Sequence, residues 1–162
     1  LAISSGTSPA SATARYAYVV NNGADSVSQF TIGTSAGLTA MGTPTVATGA
    51  APCSIAADPT ARYAYVANGD NNNVSQYLIG AGGSLSAMSP ATVSAGTGPY
   101  FVTIDPSGRY VYVVNSVSNT VSQYTIGSNG SLTAMTPSTV GTGTGPVSVT
   151  VDPSGRYAYV TN

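Results

Sequence analysis

Apolar and polar positions alternate in short bursts along this chain, and each burst stops at a cluster of Gly, Pro, Asn or Asp. The stretch from Pro99 to Gly145 shows the pattern well. Pro99–Ile104 is a β-branched and aromatic run that opens on a Gly-Pro break, which predicts a buried strand. Asp105-Pro106-Ser107-Gly108 follows, with Asp first, Pro second and Gly last, the order a type I turn prefers. Residues 109–115 alternate aromatic and aliphatic side chains and predict a second strand, and the Asn-rich link 115–119 supplies turn chemistry. Thr120–Ile126 alternates again, with Val121, Gln123 and Thr125 on one face and Ser122, Tyr124 and Ile126 on the other. After a turn at 127–130, a fourth strand begins at 131–135, is interrupted by Pro137 and resumes at Thr139-Val140. A proline is tolerated on an edge strand, where its missing N–H leaves no ladder bond unmade. No segment sustains a helical period.

The same unit recurs. Arg15-Tyr16, Arg62-Tyr63, Arg109-Tyr110 and Arg156-Tyr157 stand 47 positions apart, and Gln29/Gln76/Gln123, Met41/Met88/Met135 and Pro52/Pro99/Pro146 keep the step. A fixed period of this size marks one supersecondary unit copied in tandem, each copy too small to bury its apolar face alone. Four antiparallel strands with an edge strand and a Gly-Thr-Gly-Pro crossover describe one β-propeller blade. The expected fold is therefore all-β, with about three and a quarter blades in this chain. The expected organisation is an irregular leader at 1–12, repeats at 13–59, 60–106 and 107–153, and a partial repeat at 154–162. Thirteen strands are expected, the opening strand of the first blade being shortened or missing.

Composition narrows the function. Charged residues make up 6% of the chain, against roughly 25% in ordinary soluble proteins. All are Arg or Asp, with no Lys, Glu or His, and the net charge is −1. Four Arg spread one per repeat cannot track phosphates, so nucleic acid is not an expected partner. No apolar run reaches membrane-span length. Solvation rests on Ser, Thr, Asn and Gly, which suits an extracellular or cell-surface location.

The scarce charges read as structure. Asp58/Arg62, Asp105/Arg109 and Asp152/Arg156 recur in every unit, Asp starting the hairpin turn and Arg opening the next strand. The Tyr pairs 16/18, 63/65, 110/112 and 157/159 stand at strand period two and predict packing between blades, or a carbohydrate-stacking stripe. Cys53 is alone, in the slot of Tyr100 and Val147, and reads as a small buried apolar residue. Asp70-Asn71-Asn72-Asn73 is a local oxygen-rich departure, a turn or a weak cation site. Asn73-Val74-Ser75 and Asn129-Gly130-Ser131 match the N-glycan acceptor pattern.

Tyr159-Val160-Thr161-Asn162, with Tyr65-Val-Ala-Asn68 and the Tyr-Val-Val-Asn runs that start at Tyr18 and Tyr112, resembles the YVTN-type β-propeller repeat. The Val-Ser-Gln-Tyr and Asp-Pro-Ser-Gly-Arg-Tyr stretches extend the resemblance from Thr13 onward. It implies kinship with bacterial and archaeal surface repeat proteins and with lactonase-like seven-bladed propellers similar to 6-phosphogluconolactonase. Those enzymes are thought to use His, Glu and Arg in the central channel. This chain has no His or Glu, and its Arg are all repeat positions, so no catalytic, cofactor-binding or metal-binding residue is carried over.

The resulting expectation is a non-enzymatic extracellular or surface module that self-associates through open blade edges into rings or filaments, with no cofactor. Two alternatives stand beside it. One is a glycan- or protein-binding propeller that uses the Tyr strands or the divergent loops 22–26, 69–73 and 116–119. The other is a degenerate lactonase-like enzyme.

Overall fold

The computed structural model describes residues 2–4, by backbone, and 15–162. Among them, fourteen strands form four antiparallel sheets. The first sheet holds β1 (Ala2–Ser4), β2 (Arg15–Asn21), β3 (Ser26–Ile32) and β4 (Leu38–Ala47). The second holds β5 (Pro52–Ala57), β6 (Tyr63–Asn68), β7 (Asn73–Ile79) and β8 (Leu85–Ser94). The third holds β9 (Pro99–Ile104), β10 (Tyr110–Asn115), β11 (Thr120–Ile126) and β12 (Leu132–Gly141), and the fourth holds β13 (Ser148–Val151) and β14 (Ala158–Thr161). Strands pair in chain order within every sheet. The first strands of successive sheets lie together, β1 by β5, β5 by β9 and β9 by β13, so they wall the axis. These are three propeller blades and the inner half of a fourth. No helix of the described residues is long and apolar enough to cross a membrane.

Two local expectations are refined. Residues 2–4, within the expected leader, pair with β2 from Ala2↔Tyr18 to Ser4↔Tyr16, so the first blade has its inner strand, shortened to three residues. The crossover-like Gly6-Thr7-Ser8-Pro9 lies outside the described residues. The fourth strand is continuous through its proline. In β11–β12 the pairing jumps from Ser122↔Thr139 to Tyr124↔Ala134, leaving a bulge opposite Gln123. The Gln123 Nε2 fills that gap by donating to the Pro137 carbonyl at 2.9 Å. Gln76 does the same to Pro90 and Gln29 to Thr43. A bulge that hides its proline this way keeps the outer strand paired on both sides of the break.

The other end of that glutamine joins blades. Gln76 Oε1 accepts the backbone N–H of Leu132 at 2.7 Å, and Gln29 Oε1 that of Leu85 at 2.6 Å. Both glutamines are buried, so each amide is satisfied at both ends, as burial requires. The Tyr pairs pack between blades as their spacing predicts. Tyr16 and Tyr18 donate to the carbonyls of Ala81 and Gly83, and Tyr63 and Tyr65 to those of Ser128 and Gly130. Val66, Val74, Val111 and Val113 fill the space around these rings. The equivalent Tyr157 and Tyr159 are exposed.

Candidate functional site

The direction of the strands gives each blade two ends. The β5–β6 and β7–β8 turns and their repeats gather at one end, here called lower. The β6–β7 loops and the crossovers between blades gather at the upper end. The two ends differ in the free chemistry they hold.

The lower end holds all the repeated charges, and they are committed to structure. Asp58 Oδ1 accepts the backbone N–H groups of Arg62 and Tyr63 at 2.7 Å each, while Oδ2 takes the N–H and hydroxyl of Thr60. Asp105 repeats this with Arg109, Tyr110 and Ser107, and Asp152 with Arg156, Tyr157 and Ser154. Burial acts to raise the Asp105 carboxyl, but the Ser107 hydroxyl and the backbone donors outweigh it and hold the group below the usual carboxylate range. Arg62, Arg109 and Arg156 lie over the rings of the tyrosines that follow them, at 5.0, 5.5 and 5.9 Å from the centroids. A cavity of about 330 Å³ opens here among Ala57, Thr103, Ile104, Asp105 and Thr150. Its carboxylate belongs to the turn just described, so this cavity is poor in available chemistry.

The upper end is where the repeats differ. Cys53, Tyr100 and Val147 occupy one slot of the inner strands, and the last two are about half exposed. The Cys53 thiol donates to the Ala51 carbonyl at 3.2 Å, with Asn22 Nδ2 at 3.8 Å from its sulfur. Burial pushes the thiol up, and the nearby Asp70 charge adds to that, so it is no ready thiolate.

The Asn-rich loop has a structural task. Asn71 Oδ1 accepts from Ala50 N, Asn72 Oδ1 from Gly98 N and Asn73 Oδ1 from Asn68 Nδ2. The three amide oxygens of the expected weak cation site, Asp70-Asn71-Asn72-Asn73, are thus engaged by the crossover and the strand end. Among the described residues no three His, Cys, Asp or Glu gather as a metal set. Asp25, Asn72 and Asn119 form a repeated clamp. Each takes a crossover N–H on its backbone carbonyl, from Thr48, Ala95 and Thr142, and a second on its side chain, from Ala51, Gly98 and Gly145. Four of the five Asp are thus bound to turns or crossovers. Asp70 is the exposed exception, and no local signal in the sequence separated it from its Asn neighbours.

Of the two acceptor-motif asparagines, Asn129 is exposed on the β11–β12 turn, while Asn73 is half-buried and held by Asn68. They lie at opposite ends of their blades and form no common site.

Residues 9–162 match the family model described as lactonase, 7-bladed β-propeller. No curated protein matches the sequence. Among solved structures, a Bacteroides fragilis protein proposed to be a 6-phosphogluconolactonase superposes with a TM-score of 0.77 at 17% identity, over 93% of this chain and 47% of that one. The periplasmic gluconolactonase PpgL of Pseudomonas aeruginosa gives 0.74 at 19% identity, over 99% and 50%. Hydrazine synthase of Kuenenia stuttgartiensis gives 0.71 at 21%, over 97% and 40%. At these identities the likeness is one of fold, and the chain spans half or less of each protein's length. The family match overturns the expectation of a non-enzymatic structural module. That expectation equated the absence of His and Glu with the absence of catalysis. A lactone carbonyl is already electrophilic, however, and a carboxylate can serve as the base for water.

Proposed function

The chain belongs to the lactonase 7-bladed β-propeller family, and on that premise we propose that it forms part of a propeller that hydrolyses a lactone at the upper mouth of its channel. The observation that carries this reading is the family match over nearly the whole chain. The upper end is favoured because it holds Asp70, whereas the repeated Asp of the lower end are closed within their own turns. Within that family we read the Tyr-Val-x-Asn strands as YVTN-type repeats. Their asparagines, Asn68 and Asn115, are fully buried and tie the second strand to the third through Ser75 and Ser122.

Asp70 is the carboxylate assigned to water activation. It would accept a proton as water adds to the lactone carbonyl, and the ring oxygen would leave with a proton returned to it. Support comes from elimination, since the other four Asp are held by backbone donors. Donors for the developing oxyanion would come from blades that complete the ring. The low charge, with solvation resting on Ser, Thr, Asn and Gly, favours a location outside the cytosol.

The test is lactone hydrolysis by the protein and by Asp70→Asn, measured against the spontaneous rate. A fall of about 100-fold or more in kcat, with unchanged circular dichroism, is expected for a lost general base. A wild-type rate equal to the blank, or an Asp70→Asn variant at full rate, would sink the reading or the assignment respectively.

A further inference from the structure

The positions of the charges bear on the substrate of the proposed site, an inference that rests on the lactonase reading. All four Arg of the chain open the second strands, Arg15 on β2 and Arg62, Arg109 and Arg156 at the turns before β6, β10 and β14. They therefore lie at the lower end. The sequence has no Lys and no His. A six-residue strand spans about 20 Å, and charges are screened over about 8 Å at physiological ionic strength. No cation of these blades acts at the upper mouth.

What stands there is acidic, apolar or neutral. Asp25 and Asp70 are the charges of the upper loops. Tyr100, Val147 and Val117 are 48%, 46% and 67% exposed, large apolar groups on a rim otherwise made of Ser, Asn and Gly. The hydroxyls nearby are already engaged, Ser116 donating to Gly98 O and Ser118 accepting from Thr97 N. Phosphate recognition depends on Arg or Lys forks or on the N-terminus of a helix. Among the described residues this rim offers neither, their one helical turn being the three residues Asn22–Ala24. A phosphate brought against these blades would meet Asp70 and no counter-charge from them.

From this we infer that the mouth recognises an uncharged lactone, with the sugar-ring face seated on Tyr100, and discriminates against the phosphorylated lactone. Aromatic rings suit such a role because they offer flat apolar area to the C–H face of a sugar while hydroxyls stay wet. Asp70, beside the Cys53 slot, then serves as base without repelling its substrate. Specificity of this kind is partly negative, since an unpaired acidic group penalises the wrong ligand.

The test separates binding from turnover. Gluconolactam, a neutral analogue that cannot be hydrolysed, and its 6-phosphate are titrated into the protein by calorimetry at low and high salt. In parallel, hydrolysis of the two corresponding lactones is followed. The neutral lactam is expected to bind more tightly, with an affinity indifferent to salt. Tyr100→Ala should weaken it about fivefold, and Tyr100→Phe should restore it. Tighter binding of the 6-phosphate, fading as salt rises, overturns the inference and leaves the lactonase reading intact. Failure to hydrolyse either lactone overturns the lactonase reading, while the lactam affinities still decide the inference. Absence of binding by both lactams overturns the inference as well.

Discussion

The hydroxyl of Tyr65 donates to the carbonyl oxygen of Gly130 at 2.7 Å, joining two blades from positions 65 residues apart. Tyr18 and Gly83 repeat the bond one blade earlier, at 2.6 Å. The ring fills apolar space between sheets while its tip satisfies a turn carbonyl that would otherwise be shut away from water.

Tyr65→Phe keeps the ring and deletes the bond. With Gly130 O left unpaired, stability should fall by about 1–2 kcal/mol. Urea unfolding would show a lower midpoint with an unchanged slope. A midpoint equal to wild type would mean that water replaces the hydroxyl at no cost.

The glycine of that turn is as constrained as the tyrosine. Gly130 has φ +85°, and a Cβ there would collide with the Tyr63 ring. Gly130→Ala combines a left-handed alanine with a clash against a buried aromatic, a loss of about 3 kcal/mol. Thermal unfolding should show a drop of many degrees, and a shift within error would contradict the packing described.

One repeat carries a residue poorly suited to its backbone. Ala51 has φ 51°, where the equivalent Gly98 and Gly145 have φ 66° each. Ala51→Gly should relieve the left-handed strain by more than it frees the unfolded chain, a net gain of about 0.5–1 kcal/mol. The clamp from Asp25 to the N–H of residue 51 is backbone-directed and survives the change. Chemical denaturation of the two proteins side by side checks it, and a loss of stability would refute it.

Stability should fall on both sides of neutrality for opposite reasons. Burial raises the Tyr18 and Tyr65 hydroxyls well above the usual tyrosine range, with Tyr16 and Asp58 adding to the respective effects. The folded state therefore holds protons that the unfolded state releases. The contribution is complete below about pH 10 and is lost as pH rises beyond it. Asp105 shifts the other way, so its contribution is present above about pH 4 and fades as pH falls below. Unfolding free energies measured across the pH range should form a plateau between those limits. Tyr65→Phe should flatten the alkaline fall.

The strands, turns and period were readable because each rests on local rules. Asp-Pro-Ser-Gly specifies a turn by the conformations its residues tolerate, and alternation assigns faces to β10 and β11 without reference to the rest of the molecule. The bulge at Gln123 was less readable. Pro137 signals a break in the ladder, but only the fold reveals that a glutamine side chain on the neighbouring strand repairs it. The candidate site was barely legible. Asp70 stands among Asn residues of the same polarity, and its distinction is that three neighbouring amides are used by the chain and its carboxylate is not.

By itself, then, the sequence determined the all-β repeat, the blade and the position of every consensus turn, since these follow from propensities acting within a few residues. The tertiary structure decided which copies of a motif are buried and which are available. Tyr63 and Tyr65 are covered because a third blade lies against them and accepts their hydroxyls at Ser128 and Gly130. It also sent every arginine of these blades to their lower end. Burial and electrostatic environment depend on what the chain brings alongside a residue from dozens of positions away, and the residue's own neighbours in sequence do not carry that information.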